Sequence, residues 1–303
     1  MTGFPDGGPL DKIARVLAQK LSGSYATKVD AVNVLGAGGS VAVAALKNGA
    51  IDGSNLLLSP ISQVGVFPLT YSNLPYVVTD VVPVAIVGVS DFALAVGPLV
   101  PLEIIDLKSF FDWLLVHPEQ ANFASPAVGA TTQLVPQLAA TMASFSRPAF
   151  PKFKHVAYSG VAPVIKDLLE GKFTAASAPL GSLLPFLRNG KVRILAQTGA
   201  RRTPFAPDIP TFKEQGFPLT LRDWYALYLP AAARPEVVKT AAVHIGAVLS
   251  SLDMQAMLKT LYIEYEPSTP ESAVQRLLKE SNEWKRLIKT VNFKAIAAPA
   301  SSN

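Results

Sequence analysis

The chain has 303 residues, half of them apolar, only 16% charged, with a formal net charge of +5 and no cysteine. That length and apolar content fit one large or two modest buried domains and exclude a disordered chain. The missing cysteines exclude disulfides, thiolate catalysis and cysteine metal sites, and the scattered basic residues argue against a nucleic-acid surface.

The chain opens on Phe4-Pro5-Asp6-Gly7-Gly8-Pro9, a turn-rich loop leading into a helix. Leu10, Ile13, Leu17 and Leu21 form an apolar stripe at helical spacing, with Pro9 at the start and Gly23 beyond the end, which predicts a helix over Pro9–Leu21. Such a loop ordinarily follows a buried strand of about five residues. Only Met1, Thr2 and Gly3 precede it, so we expect Met1 not to be the biological start, with a leader and first strand missing from this numbering.

Strand and helix signals then alternate. Lys28–Gly36 reads as a strand, Ser40–Gly49 as a short helix and Ser54–Ser59 as a strand. Val81–Pro101 is apolar enough to raise the membrane question, but Pro83, Asp91 and Pro98 interrupt it, and two buried strands near Val84–Val89 and Phe92–Val96 are expected. Further helices are predicted over 106–119, 131–145, 162–171 and 180–190, and further strands over 121–126, 153–160, 173–177 and 191–199. Thr203–Pro218 is proline-rich and is expected to hold a short helix. A long extended stretch over Leu219–Ala231 precedes three helices: Pro235–Leu252, one near Met254–Leu261, and Pro270–Val291. Val238, Ala241, Ile245, Val248 and Leu252 give the first of these an apolar face.

Repeated βαβ units imply an α/β protein with mostly parallel sheets. The expected organisation is two lobes, one built from 1–96 and 225–303 and the other from 97–224, with hinge crossovers near 96 and 224. The C-terminal helices have no sheet of their own and are expected to pack on lobe one.

Loops between strand ends and helix starts at Phe4–Pro9, Gly36–Ser40, Ser59–Ser62, Ser125–Thr132 and Tyr158–Gly160 could present free N–H groups to an anion. Singly, each is as well explained as a turn or cap. Gly36–Val41 invites a dinucleotide reading, but Val41 stands at the third Gly/Ala position and no acidic residue follows in the right context. His117, His155 and His244 show no metal-ligand spacing, and no nucleophile elbow or paired carboxylates occur. Asp11 reads as a first-turn carboxylate complementing the helix dipole, and Asp167 and Glu170 as an exposed helix face. Trp113 and Trp284 read as helix packing, and Trp224 as core. Catalytic residues, metal ligands and cofactors are therefore expected to be none.

Several segments, in one order and nearly end to end, resemble the solute receptors of tripartite tricarboxylate transporters, the Bug receptors. "GFPDGGPLDKIARVLAQKL" is similar to their first loop and helix, usually written with PFPPGG followed by an Asp and an Arg. "VNVLGAGGSVAVAAL" is similar to their N-x-x-GAGG segment, and "IDGSNLLLSP", "HVAYSGVAPVIKDLLEGK" and "LRNGKVRILAQTGARRTPFAPDIPTFKEQGFP" resemble three more. The resemblance implies a type II periplasmic-binding fold (Venus flytrap) in which a small organic carboxylate is gripped between two lobes and handed to transporter membrane subunits. It implies one jaw from Phe4, Pro5, Gly7 and Gly8, and a second from Ala127, Val128, Gly129, Ala130, Thr131 and Thr132. Ser59, Ile61, Ser62, Tyr158 and Gly160 would form the walls. It implies a periplasmic monomer without direct membrane insertion.

The chain departs from that pattern. Where the family often has SSGxGSxxHL, this chain has Ser125-Pro126-Ala127-Val128-Gly129-Ala130-Thr131-Thr132-Gln133-Leu134. Ala178-Pro179 stands where an Asp or Asn is common, and Asp6 replaces the second proline of the first loop. These changes point to a less polar distal pocket, suited to an aromatic or aliphatic carboxylate, or to a degenerate receptor without a transport role. A ligand-sensing module would need a signalling or DNA-binding segment, and an enzyme would need a cleft-facing acid–base pair, such as His155 beside an Asp or Glu.

Overall fold

A computed structural model describes residues 1–147, 149–188, 190 and 192–298. The chain divides into two compact units. Unit one holds Met1–Val89, Trp224–Arg286 and Lys294–Asn303; unit two holds Ser90–Asp223 and Leu287–Phe293.

In unit one, α1 spans Pro9–Leu21, as its apolar stripe predicts, and α2 spans Ser40–Lys47. Strand β1, Leu57–Pro60, pairs antiparallel with the later strand β7, Arg222–Pro230, in the register Leu57↔Tyr228 to Pro60↔Tyr225. Between them in sequence come a short helix α3, Phe67–Thr70, and strand β2, Val81–Val96. The predicted strand over 28–36 does not form. Its partner is the two-residue segment Met1–Thr2, so it makes a single parallel bridge at Asn33, with ladder bonds Thr2 N–H to Val32 O and Val34 N–H to Thr2 O. Thr2 also bridges Leu58, and the Met1 ammonium donates to the Leu56 carbonyl, so Met1–Thr2 lies between Asn33 and β1.

The two strands expected at 84–89 and 92–96 are halves of the single strand β2. Asp91 does not break it, because Arg222 Nε donates to Asp91 Oδ1 at 2.7 Å and gives the buried carboxylate a counter-charge. The units divide within this strand, between Val89 and Ser90.

Unit two adds α4 (Leu107–Val116), β3 (Asn122–Ser125), α5 (Thr131–Phe145), β4 (Lys154–Ala157), α6 (Val161–Leu169), β5 (Ala175–Pro179), α7 (Leu180–Arg188) and β6 (Arg193–Gln197). The expected helix end at Asn189 and strand start at Lys191 lie outside the described residues. Strand order here is β6-β2-β5-β3-β4. β3 is parallel to β4 and β5, whereas β2 is antiparallel to β5 and β6. The sheet is thus mixed, its antiparallel pairs all involving the long strands β2 or β7.

The short helix expected in 203–218 is replaced by turns. Pro204, Pro207 and Pro210 supply no N–H for a helical ladder. The fully buried Gln197 side chain organises the segment instead, donating to the Ala206 and Ile209 carbonyls and accepting from Thr203 N–H.

The last helices are α8 (Pro235–Leu249), α9 (Leu252–Thr260) and α10 (Pro270–Thr290). Ala241, Ile245 and Leu249 of α8, with Met254 and Leu258 of α9, pack with Leu10, Ile13, Leu17 and Leu21 in the core of unit one. Ala273 and Leu277 of α10 join its other apolar cluster; the end of α10, from Leu287, belongs to unit two. Leu252, expected on the α8 face, opens α9 and is 85% exposed. Trp224 and Trp284 are core residues. Among the described residues, no single helix is long and apolar enough to cross a membrane.

Candidate functional site

The first loop of unit one is held from beneath by one carboxylate. Asp11 is 1% exposed. Its Oδ2 accepts from Gly7 N–H at 2.9 Å and from Arg15 Nε at 2.9 Å, and its Oδ1 accepts from Asn33 Nδ2 at 2.8 Å. Asn33 Nδ2 also donates to the Phe4 carbonyl. Hydrogen bonding from Arg15, then from Asn33 and Gly7, holds the Asp11 carboxyl well below the usual carboxylate range against the cost of burial. Asp11 is therefore the anchor of the 4–8 loop and does more than complement a dipole.

Gly7 sits at φ +76°, which glycine adopts without strain. Gly8 is the N-cap of α1 and Phe4 packs against the core; Pro5 is exposed. Asp6 is paired through Arg15 Nη2 at 2.6 Å, so its charge is met by a guanidinium. Ser59 within β1 and Ser62 just beyond it are buried polar residues, while Ile61 is fully buried in the apolar core with Ala42, Val43 and Val64. Its side chain packs unit one and faces no solvent.

In unit two, β3 delivers the chain to the loop 126–130. Pro126, Ala127 and Val128 are partly exposed, whereas Gly129, Ala130, Thr131 and Thr132 are buried. Gln133 turns back to accept Gly129 N–H at 2.7 Å on its Oε1. Ala130 is the N-cap of α5. In the first turn of that helix the Thr132 Oγ1 is buried and has no hydrogen-bond partner in the protein. A helix start offers N–H groups and the positive end of the dipole, and here an uncommitted hydroxyl stands beside them.

The segment that follows strand β4 supports this loop. Gly160 N–H donates to the Pro126 carbonyl and Tyr158 N–H to that of Ser125. Tyr158 is half-buried, its hydroxyl donating to Asp167 Oδ2 at 2.7 Å, so that hydroxyl is committed to α6. Asp167 is accordingly a partner of Tyr158 and Lys172 and not a bare exposed carboxylate. Ser125 Oγ lies 2.8 Å from His155 Nε2 and 3.2 Å from the Ala127 carbonyl. Burial pushes the His155 pKa down to about 4. The partner of His155 is a serine, not an acid.

Asp11, Arg15 and Asn33 hold the first loop together, a role that the reading of individual loops missed. They had a signal: they stand at the Asp, Arg and Asn of the quoted first-helix and N-x-x-GAGG segments.

The profile described as tripartite tricarboxylate transporter family receptor matches residues 13–293. The chain belongs to this family. It is a solute-binding receptor of the tripartite transporter type. Relatives include BugT of Bordetella pertussis, 28% identical over 96% of this chain and 88% of that protein. A protein of Agrobacterium vitis encoded between ttuE and ttuC' is 26% identical over 93% of this chain and 80% of its own length. Among solved structures, a Rhodopseudomonas palustris protein with adipate has a TM-score of 0.84 at 25% identity, covering 96% of this chain and 95% of that one. MatC of the same organism, with bound malate, has a TM-score of 0.82 at 23% identity, covering 95% and 97%. These neighbours give the receptor chain its two-lobed periplasmic-binding fold.

Proposed function

We propose that this receptor captures a small organic carboxylate outside the cytoplasm and presents it, as a monomer and without catalysis, to the membrane subunits of a secondary transporter. The observation that carries the reading is Thr132: a buried, unpartnered hydroxyl in the first turn of the 15-residue helix α5. A carboxylate there would meet helix-end N–H groups, the dipole and one hydroxyl donor. Ala127–Thr132 would form this jaw and Phe4, Pro5, Gly7 and Gly8 the opposing one. Ser59, Ser62, Tyr158 and Gly160 would contribute walls, with Ile61 contributing backbone only. β2 and β7 each run from one unit into the other, so flexing there would serve as the hinge on ligand capture. The malate and adipate held by structural neighbours support carboxylate as the ligand class.

The test is a thermal-shift screen of organic acids, because a ligand that binds only the folded state raises its melting temperature. A saturable shift with a carboxylate, absent for its amide, is expected. A folded protein unmoved by any carboxylate overturns the reading.

A further inference from the structure

Unit one carries an unpartnered acceptor of its own. Gln63 follows Ser62 and is 4% exposed. Its Nε2 donates to the Gly38 carbonyl at 2.8 Å, and its backbone carbonyl accepts the Tyr76 hydroxyl at 2.7 Å. A carbonyl only accepts, so Gly38 fixes which way the amide points: nitrogen toward Gly38, oxygen away from it. That oxygen, Oε1, is buried and has no hydrogen-bond partner in the protein. An amide oxygen removed from water without a donor carries its full desolvation cost.

Its place in the fold links it to the first jaw. A Cβ at Gly39 would stand 3.2 Å from Gln63 Cγ and 3.6 Å from the Gly3 carbonyl oxygen, and a Cβ at Gly3 would stand 2.6 Å from Gly39 Cα. Gln63, Gly39 and Gly3 are thus packed together, one residue before Phe4. Gly39 holds φ +96°, so the close approach is built from glycine at a position that favours it. Thr2 Oγ1, 1% exposed, is also unpartnered. A hydroxyl both donates and accepts, so Thr2 does not discriminate between ligands; Gln63 Oε1 only accepts, and does.

We propose that Gln63 is a specificity-determining residue of this receptor, accepting a hydrogen bond from an O–H or N–H group on the body of the ligand. The substrate class is then a hydroxy- or amino-substituted carboxylate, not an unsubstituted mono- or dicarboxylate. An ionised carboxylate has acceptors only and cannot satisfy Oε1, so a second carboxyl group is no substitute for the donor. This rests on the carboxylate-receptor reading and narrows it.

Titration calorimetry with matched acids that differ by one hydroxyl tests it: hexanoate against 6-hydroxyhexanoate, benzoate against 4-hydroxybenzoate, and succinate against malate. In at least one pair the hydroxylated acid should bind at least about tenfold tighter. Gln63→Met keeps the length of the side chain and removes the acceptor. It should bring that ratio to within about twofold, whatever the variant's affinity for the unhydroxylated acid, because the ratio isolates the hydroxyl's contribution. Ratios near one in every pair that binds, or a preference that survives in Gln63→Met, overturn the assignment and leave the receptor reading standing. Failure of every acid to bind the wild-type protein overturns both.

Discussion

Asp11 accepts the backbone N–H of Gly7 at 2.9 Å from inside the first turn of α1. Gly7 thereby spends its N–H on the protein, and the loop is held before any ligand arrives. The other groups bonded to this carboxylate, Arg15 Nε and Asn33 Nδ2, are donors as well. Preorganisation of this kind lowers the ordering cost of binding.

Asp11→Asn is therefore not a conservative change. Wherever its NH2 points, a donor meets a donor, and Arg15 loses its buried counter-charge. We expect a loss of about 2–4 kcal/mol in urea unfolding. The acid limb should change too. The folded-state carboxyl is depressed, so its stabilisation is present above the unfolded value near about 4 and is lost as pH falls toward the folded value. Stability of the variant should fall less steeply below pH about 4 than that of the wild type.

Two glycines of the first segment should behave differently. A Cβ at Gly7 meets nothing within 4 Å, so Gly7→Ala pays only for φ +76° and should cost about 1 kcal/mol. At Gly3 a Cβ would collide with the Gly39 backbone, which has no flexible side chain to yield. Gly3→Ala should cost more, about 2–4 kcal/mol, read as a larger drop in urea midpoint.

How far the sequence reveals these features depends on whether the cause is local. α1, α2, α5 and α10 were legible because apolar spacing and end residues act within one helix. The family's ordered segments carried the loops and the two-lobed fold. Ile61 stood in a motif-bearing loop yet points into the core, because a loop position does not say which side is buried. Asp11 looked like a dipole partner since its second role depends on Asn33, 22 positions away. Asp91 looked like a strand breaker because its partner Arg222 lies 131 positions on. Gln63 carried no signal at all: its orphaned oxygen follows from Gly38 fixing the amide.

Asp91 and Arg222 join β2 to β7 within unit two. The Asp91 side chain is 1% exposed and that of Arg222 24%. Removing one member of such a pair leaves the other without its counter-charge. Asp91→Ala and Arg222→Ala should each destabilise by about 3 kcal/mol or more. The double variant should fall short of the sum of the two, and a double-mutant cycle by denaturant unfolding measures the difference. Full additivity would show that the pair contributes no coupling.

His155 should govern the mildly acidic range. Burial holds its folded pKa at about 4, whereas an unfolded histidine titrates near about 6.5. Between those values the unfolded chain binds a proton that the folded chain does not, so stability falls as pH drops through this window and levels off below it. His155→Gln can still hydrogen-bond Ser125 and does not titrate. Its melting temperature should be flatter than the wild type's from pH about 6.5 to about 4. Parallel curves would assign the acid sensitivity elsewhere.

Thr132 separates a binding role from a folding role, because the two predict opposite signs. Its Oγ1 is buried without a protein partner, so it contributes a desolvation cost and no bond to the free receptor. Thr132→Val fills the same space without the hydroxyl. The ligand-free variant should be as stable as the wild type or more stable by up to about 1 kcal/mol. A carboxylate that shifts the wild-type melting temperature should bind the variant about tenfold more weakly, since it loses one charge-assisted hydrogen bond. Higher stability with weaker binding is the signature of a group kept for the ligand. Lower stability with unchanged affinity would show that Thr132 serves the fold, and the second jaw would have to be sought away from the start of α5.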